Sequence, residues 1–407
     1  MAARTRLRTT TRLTGRRVLL WSLLGRLPNA MCPIGALLLV THDSGSVWRG
    51  SAVTGALAVG QAAGGPLVGR LADRRGQRGI GLVAAAVNAA AIVALVAAST
   101  AGLPLAAQIG CAVLIGASVP LVGPLSRSRW VRLAAGDPEA TTAALWLDGT
   151  VDEISFTAGP AVVGVLATLT GPAWGLLAAA ALVGVCGTLF ARHPTAAPGE
   201  PARRRGGERL LGRAYLLLLA GMALLGVCFG SVQVGVTAVT GAAGRPGAAG
   251  LVYGLLGGAS AVAGIATAAL PARWDLPLRL RAGTALLLAA ALPLPAVGGV
   301  GALAAAIGCL GLAVAPQMIT MFGLVERAVP AARLGEAMAA LVSAITLAQS
   351  AGTLAAGWAA ERYGPTAPFL VTCAAAGVAL VLTLATATDR TYRPRPQETV
   401  PALAGRR

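Results

Sequence analysis

Along the chain, apolar runs long enough to cross a membrane alternate with short polar gaps. Twelve such runs stand out, at roughly 18–40, 51–70, 79–98, 103–125, 142–168, 173–191, 213–239, 249–270, 282–298, 300–325, 336–360 and 366–387. A helix that crosses a bilayer needs about 20 predominantly apolar residues, because its backbone amides must find their partners within the helix. The pattern predicts an all-α membrane protein of twelve transmembrane helices, with both termini on the same side. The first run exceeds the apolar core of a signal peptide, about 7–15 residues, so it is expected to stay as the first span. Between runs six and seven, residues 193–212 are rich in Pro, Gly and charge, the composition of an interdomain connection. This divides the chain into an N-terminal six-helix bundle (1–192), a linker (193–212), and a C-terminal six-helix bundle with a tail (213–407).

The two halves carry an internal echo. A shift of 193 positions superposes Gly159, Gly164, Gly171 and Pro172 on Gly352, Gly357, Gly364 and Pro365, across runs five and eleven. A shift of 195 superposes Gly55 and Gly69 on Gly250 and Gly264, in runs two and eight. Repeated halves predict a pseudo-symmetric pair of bundles, a substrate site near the bilayer midplane between them, and alternating access by rocking. Gly60 with Gly64, Gly226 with Gly230, and Gly250, Gly254 with Gly258 offer small faces on which helices can approach closely.

Composition narrows the class. Of the residues 56% are hydrophobic and only 12% charged, against about 25% charged in soluble proteins, which excludes a soluble enzyme, a disordered scaffold and a disulfide-built domain. The net charge of +18 comes entirely from arginine, with no lysine present. Such a balance would suggest nucleic acid in a soluble chain, but here 29 of the 33 arginines fall in the tails and in alternate gaps. Only Arg49, Arg245 and Arg362 lie in the other loops, and Arg26 alone lies within a run. Cytoplasmic loops retain positive charge, so both termini are expected in the cytoplasm, with the bilayer and not nucleic acid as partner. Arginine to the exclusion of lysine, with abundant Ala and Gly, fits GC-rich bacterial coding and hence a bacterial cytoplasmic membrane.

Other chemistries lack their parts. The six cysteines lie inside apolar runs and read as small buried residues; the only histidines, His42 and His193, fall in loops, so no metal site is expected. Without lysine there is no P-loop phosphate ligand, and neither an intramembrane histidine nor a G-x-S-x-G motif offers acid–base or nucleophilic catalysis. The expectation is a non-enzyme without cofactor, driven by a proton gradient.

An ionisable residue inside a membrane is costly and marks a functional hypothesis. Arg26 lies about eight residues into run one, roughly 12 Å deep at ~1.5 Å per residue. In run five Asp148 lies about six residues from the inner end, and Asp152 and Glu153 about ten and eleven. The matching depths predict that Arg26 pairs with Asp152 or Glu153, with Asp148 as a second partner or as a contact for Arg127 or Arg129. Asp148 and Asp152 share a helix face, whereas Glu153 turns about 100° away. These carboxylates either load and release a proton or form a permanent structural ion pair.

Between runs two and three the chain reads Gly69-Arg-Leu71-Ala72-Asp73-Arg74-Arg-Gly76-Gln-Arg78. This resembles the loop signature G-x-L-A-D-R-x-G-R-R of the major facilitator superfamily, and the resemblance extends to twelve spans, two halves and a basic central linker. It implies that Gly69, Asp73, Arg74, Gly76 and Arg78 form a cytoplasmic gate, with Asp73 latching the halves; Gln77 departs from the usual basic residue. In run five Gly159-Pro160 and Gly164 resemble the family's antiporter motif, with Ser155 and Val163 replacing two of its glycines. Run four lacks the buried arginine of many drug–proton antiporters. Runs one, four, seven and ten line the cavity in this family, which makes Gln233 and Gln317 cavity candidates. The reading is a monomeric secondary transporter of a small molecule, exporting it in exchange for protons. Uptake by symport, or a non-transporting sensor on the same fold, are the alternatives.

Overall fold

The computed structural model describes residues 16–134, 137–199, 212–267, 274–329 and 333–385. The outer parts of both tails and residues 200–211 of the linker therefore lie outside the described residues. The helices are α1 (Arg16–Ser44), α2 (Val47–Arg75), α3 (Gln77–Thr100), α4 (Leu105–Ala117), α5 (Val122–Leu133), α6 (Pro138–Leu169), α7 (Pro172–Leu182), α8 (Thr188–Arg192), α9 (Arg213–Ala242), α10 (Ala248–Thr267), α11 (Leu276–Ala291), α12 (Val300–Ala328), α13 (Leu334–Tyr363) and α14 (Pro368–Ala385). A π-helical turn, Val183–Gly187, joins α7 to α8 within one span. Among the described residues, eleven helical spans are long and apolar enough to cross a membrane. The twelfth, α2, has 29 residues, but Gln61 and its many glycines lower its mean hydropathy.

Span four differs from expectation. Span four is not one helix to residue 125: α4 ends at Ala117, and α5 starts at Val122 and continues to Leu133. Residues 127–132, expected as a loop because they are basic, are helical and partly buried. The cysteines are all free thiols, but Cys309 is exposed.

Helices α1–α8 pack among themselves, as do α9–α14, and the two bundles meet chiefly along α2 with α13 and α6 with α10. Glycine makes these seams possible, since a side chain would strike the opposing backbone. The echoed glycines occupy equivalent places. Gly159 lies on Leu27 and Ala30 of α1, and Gly352 lies on Val227 of α9. Gly164 packs across the bundle boundary on Gly247, Gly250 and Leu251, and Gly357 packs across it on Ser51 and Trp48. Gly55 meets Ser350 and Leu354 while Gly250 meets Pro160 and Gly164. Gly171 and Gly364 both adopt positive φ, 116° and 101°, at the turns that lead into α7 and α14, where glycine alone avoids strain.

Every one of these cross-bundle contacts lies in the halves of the helices remote from the arginine-rich loops. At that far end Ser350 Oγ donates to the Gly55 carbonyl at 2.8 Å, and Leu37 of α1 clusters with Val234, Ala238, Ala356 and Ala360 of the second bundle. Glu361, at the end of α13, reaches the start of α2, accepting from Ser46 Oγ at 3.3 Å and from the Trp48 amide at 3.4 Å. The bundles are thus sealed together at the far end.

Candidate functional site

Arg26 projects from α1 into a contact with α5 and α6, where it is 5% exposed. Its guanidinium donates to both Asp148 and Asp152, Nη1 reaching Asp152 Oδ1 at 2.7 Å and the Asp148 carbonyl at 3.1 Å. From α5, Arg127 donates to the other oxygens of the same carboxylates, Nε to Asp148 Oδ2 at 3.2 Å and Nη2 to Asp152 Oδ2 at 2.9 Å. Trp130 Nε1 adds a third donor to Asp148, at 3.2 Å. Gly123 makes room for this: a Cβ there would lie 3.3 Å from Asp152 Oδ1 and 3.8 Å from the Arg26 guanidinium. The i, i+4 spacing aims both aspartates from α6 at one arginine pair. Two positive and two negative charges close on themselves, each carboxylate held by two arginines, with Arg26 and Asp148 buried and Arg127 and Asp152 toward the surface.

Glu153 is not part of this quartet. It is exposed and forms no ion pair or hydrogen bond with a described residue. It lies midway along the 32-residue α6, on the face that carries Thr157, Pro160 and Gly164. Those three residues pack on α10 of the other bundle, Thr157 meeting Gly254, Gly257 and Gly258. Closer to the arginine-rich end the same face of α6 carries Glu153 and then Trp146, which is 44% exposed. Phe156, one turn from Glu153, is 55% exposed. The described part of α10 carries no cationic residue.

Span four carries arginine after all. Arg129 of α5 is 2% exposed, its guanidinium 3.8 Å above the Phe190 ring. It does not contact Asp148: Nε donates to Gln77 Oε1 at 2.6 Å and Nη1 to the Phe190 carbonyl at 2.9 Å. This accounts for Gln77 where a basic residue was expected, since a second cation there would face Arg129. Gln77 also donates to Ser128 Oγ at 2.9 Å, and its amide donates to the Ala197 carbonyl at 3.0 Å. The first part of the linker is therefore strapped across the signature loop, and Arg132 holds it at the Thr195 carbonyl, 2.6 Å away. Burial and then the nearby Arg129 charge push the His193 imidazole below its usual pKa.

In the signature loop Gly76, φ 93°, makes the one-residue turn from α2 to α3, and a Cβ at Gly69 would lie 3.6 Å from Leu121 at the break in span four. Asp73, Arg74 and Arg78 are exposed, and Asp73 bonds to no described residue. Gly159 and Pro160 serve packing, on α1 and α10 respectively. Gln233 is 1% exposed between α9 and α13 and accepts from Gln349 Nε2 at 3.5 Å. Gln317 is fully buried with its Cβ against Gly283 of α11, inside the second bundle. Asn29 and Gln61, paired at 3.2 Å, bridge α1 and α2.

No family model matches this sequence, and no curated protein does. Solved structures do resemble it. A bacterial homologue of the iron transporter ferroportin, in an inward-facing state, has TM-score 0.70 and 16% identity over 93% of this chain and 98% of its own. The nucleoside transporter NupG has TM-score 0.69 and 16% identity over 91% and 97%. The human organic anion transporter MFSD10 has TM-score 0.62 and 18% identity over 92% and 99%. The chain has the fold of the major facilitator superfamily transporters, as two pseudo-symmetric six-helix bundles.

Proposed function

We propose that this protein is a secondary active transporter that exports a small molecule across the membrane in exchange for protons, with Glu153 as the proton-carrying group. The observation that carries the reading is an exposed carboxylate without a partner among the described residues, midway along a spanning helix and one turn from the seam where α6 meets the other bundle. A carboxylate so placed is reached from whichever side the crevice opens to, so it loads a proton on one side and releases it on the other. The quartet beside it is balanced in charge and holds α1, α5 and α6 together. The arginine-rich loops point to the cytoplasm as the side toward which the crevice opens. The Gly159-Pro160 element on α6, similar to that of exporters, favours export over uptake.

In an efflux-deficient bacterial host, cells with the wild-type protein should accumulate less of at least one compound from a panel of neutral, cationic and anionic dyes. The difference should vanish when the proton gradient is collapsed and in Glu153→Gln, and persist in Glu153→Asp at matched membrane expression. No gradient-dependent difference for any compound, or full activity in Glu153→Gln, overturns the reading.

A further inference from the structure

We infer that His193 is the catch of an acid-released clasp, which ties the first residues of the linker to the signature loop at neutral pH and lets them go when the arginine-rich face acidifies. The inference goes beyond the exchange reading and does not depend on it. The clasp is a continuous set of contacts. The Gln77 amide donates to the Ala197 carbonyl at 3.0 Å, Gln77 Oε1 accepts from the Ala197 amide at 3.4 Å, and Arg132 donates to the Thr195 carbonyl at 2.6 Å. At its end Gly199 lies on the turn between α2 and α3, where a Cβ would be 2.8 Å from the Gly76 nitrogen. His193 sets the direction in which this strap leaves α8. The Thr195 amide donates to His193 Nδ1 at 3.3 Å, and the Thr195 hydroxyl lies 2.9 Å from the same nitrogen. The imidazole meets the Trp21 ring of α1 edge-on, with centroids 5.8 Å apart.

A backbone N–H can only donate, so in the clasped form Nδ1 carries no proton and the neutral ring holds its proton on Nε2. A proton at Nδ1 removes that acceptor and puts a charge among cations. The elements packed at this end bring Arg17 from α1, Arg74, Arg75 and Arg78 around the α2–α3 turn, Arg129 and Arg132 from α5, and Arg192 from α8. The one carboxylate these elements carry at this end, Asp73, is exposed and bonds to no described residue. Burial and the Arg129 charge hold the clasped imidazole below its ordinary pKa, so the released linker takes up the proton more readily than the clasped one. The sign follows by linkage. The clasp is at full strength above the ordinary histidine value of about 6.5 and weakens by up to about tenfold per pH unit below it, until the clasped ring is itself protonated. The start of the linker, the signature loop and α5 are joined in the neutral form and parted in the acid form.

The test uses the full-length protein in lipid nanodiscs with isotope-labelled histidine. Only His42 and His193 contribute signals, and His42→Gln assigns them. At neutral pH the nitrogen shifts of His193 should report a proton on Nε2 and none on Nδ1, and the ring should titrate below about 6.5. Hydrogen exchange over residues 193–199, corrected for the intrinsic effect of pH on amides, should lose protection about threefold or more on going from neutral pH to two units lower. The spanning helices should keep theirs. His193→Asn sets an uncharged acceptor, Oδ1, where Nδ1 stands, and should retain protection at both pH values, whereas His193→Ala should lose it at both. A proton on Nδ1 at neutral pH, equal protection of the wild-type strap at the two pH values, or acid release of His193→Asn as in the wild type overturns the inference. None of these readouts involves transport, so failure of the clasp and failure of the export reading are told apart.

Discussion

Three carboxylates within six positions of α6 have different fates because of the direction each faces. Asp148 is nearly inaccessible and accepts from two arginines and Trp130, so removing Arg26 strips a buried anion of half its charge compensation. Breaking a buried pair from one side costs about 3–5 kcal/mol. Arg26→Ala should therefore lower the thermal midpoint in detergent sharply, and Arg26→Ala with Asp148→Asn should recover part of the loss. Glu153→Gln should leave the midpoint unchanged, which separates the exposed carboxylate from the buried ones. Sequence made these residues visible through the rarity of charge in apolar runs, and it brought Arg26 to the level of Asp152. It could not choose between Asp152 and Glu153, since adjacent residues differ in depth by only ~1.5 Å. The choice is made by a rotation of about 100° about α6, relative to α1 and α10, and that rotation is fixed by glycine contacts distant from either residue.

Among the helices, glycine spacing has different consequences where helices touch and where they do not. A Cβ at Gly352 would come within 2.7 Å of Val227 Cα, whereas one at Gly308 would meet nothing within 4 Å. Gly352→Ala should force α9 and α13 apart and cost about 1–3 kcal/mol, as overpacking does. Gly308→Ala should be neutral or slightly stabilising, because alanine favours the helix; thermal unfolding of the two variants side by side checks this. The spans themselves were legible because hydropathy and length suffice for a bilayer. The break in span four was not, although Pro120 lies in it: Pro28, Pro33, Pro66, Pro160 and Pro316 all lie inside continuous helices, so proline alone is no punctuation here. The missed break also concealed Arg129, since a basic stretch after an apolar run reads as solvated loop. Only the buried partners Gln77 and Phe190, distant in sequence, show that it is interior.

For the whole molecule, the two seams are alike in their glycines and unlike at their ends. Thr168, the position that corresponds to Glu361 in the first bundle, rests against Gly247 before α10, whereas Glu361 sets a carboxylate at the start of α2, where the helix dipole favours it. The balanced quartet has an electrical consequence. Because its two arginines cancel its two aspartates, reorientation of the first bundle carries no net charge of theirs through the membrane field. A single charge crossing 100 mV is worth about 2.3 kcal/mol, so a scaffold whose own charges cancel adds nothing to the work that the membrane voltage does on the first bundle. The voltage acts only on the charges outside the quartet.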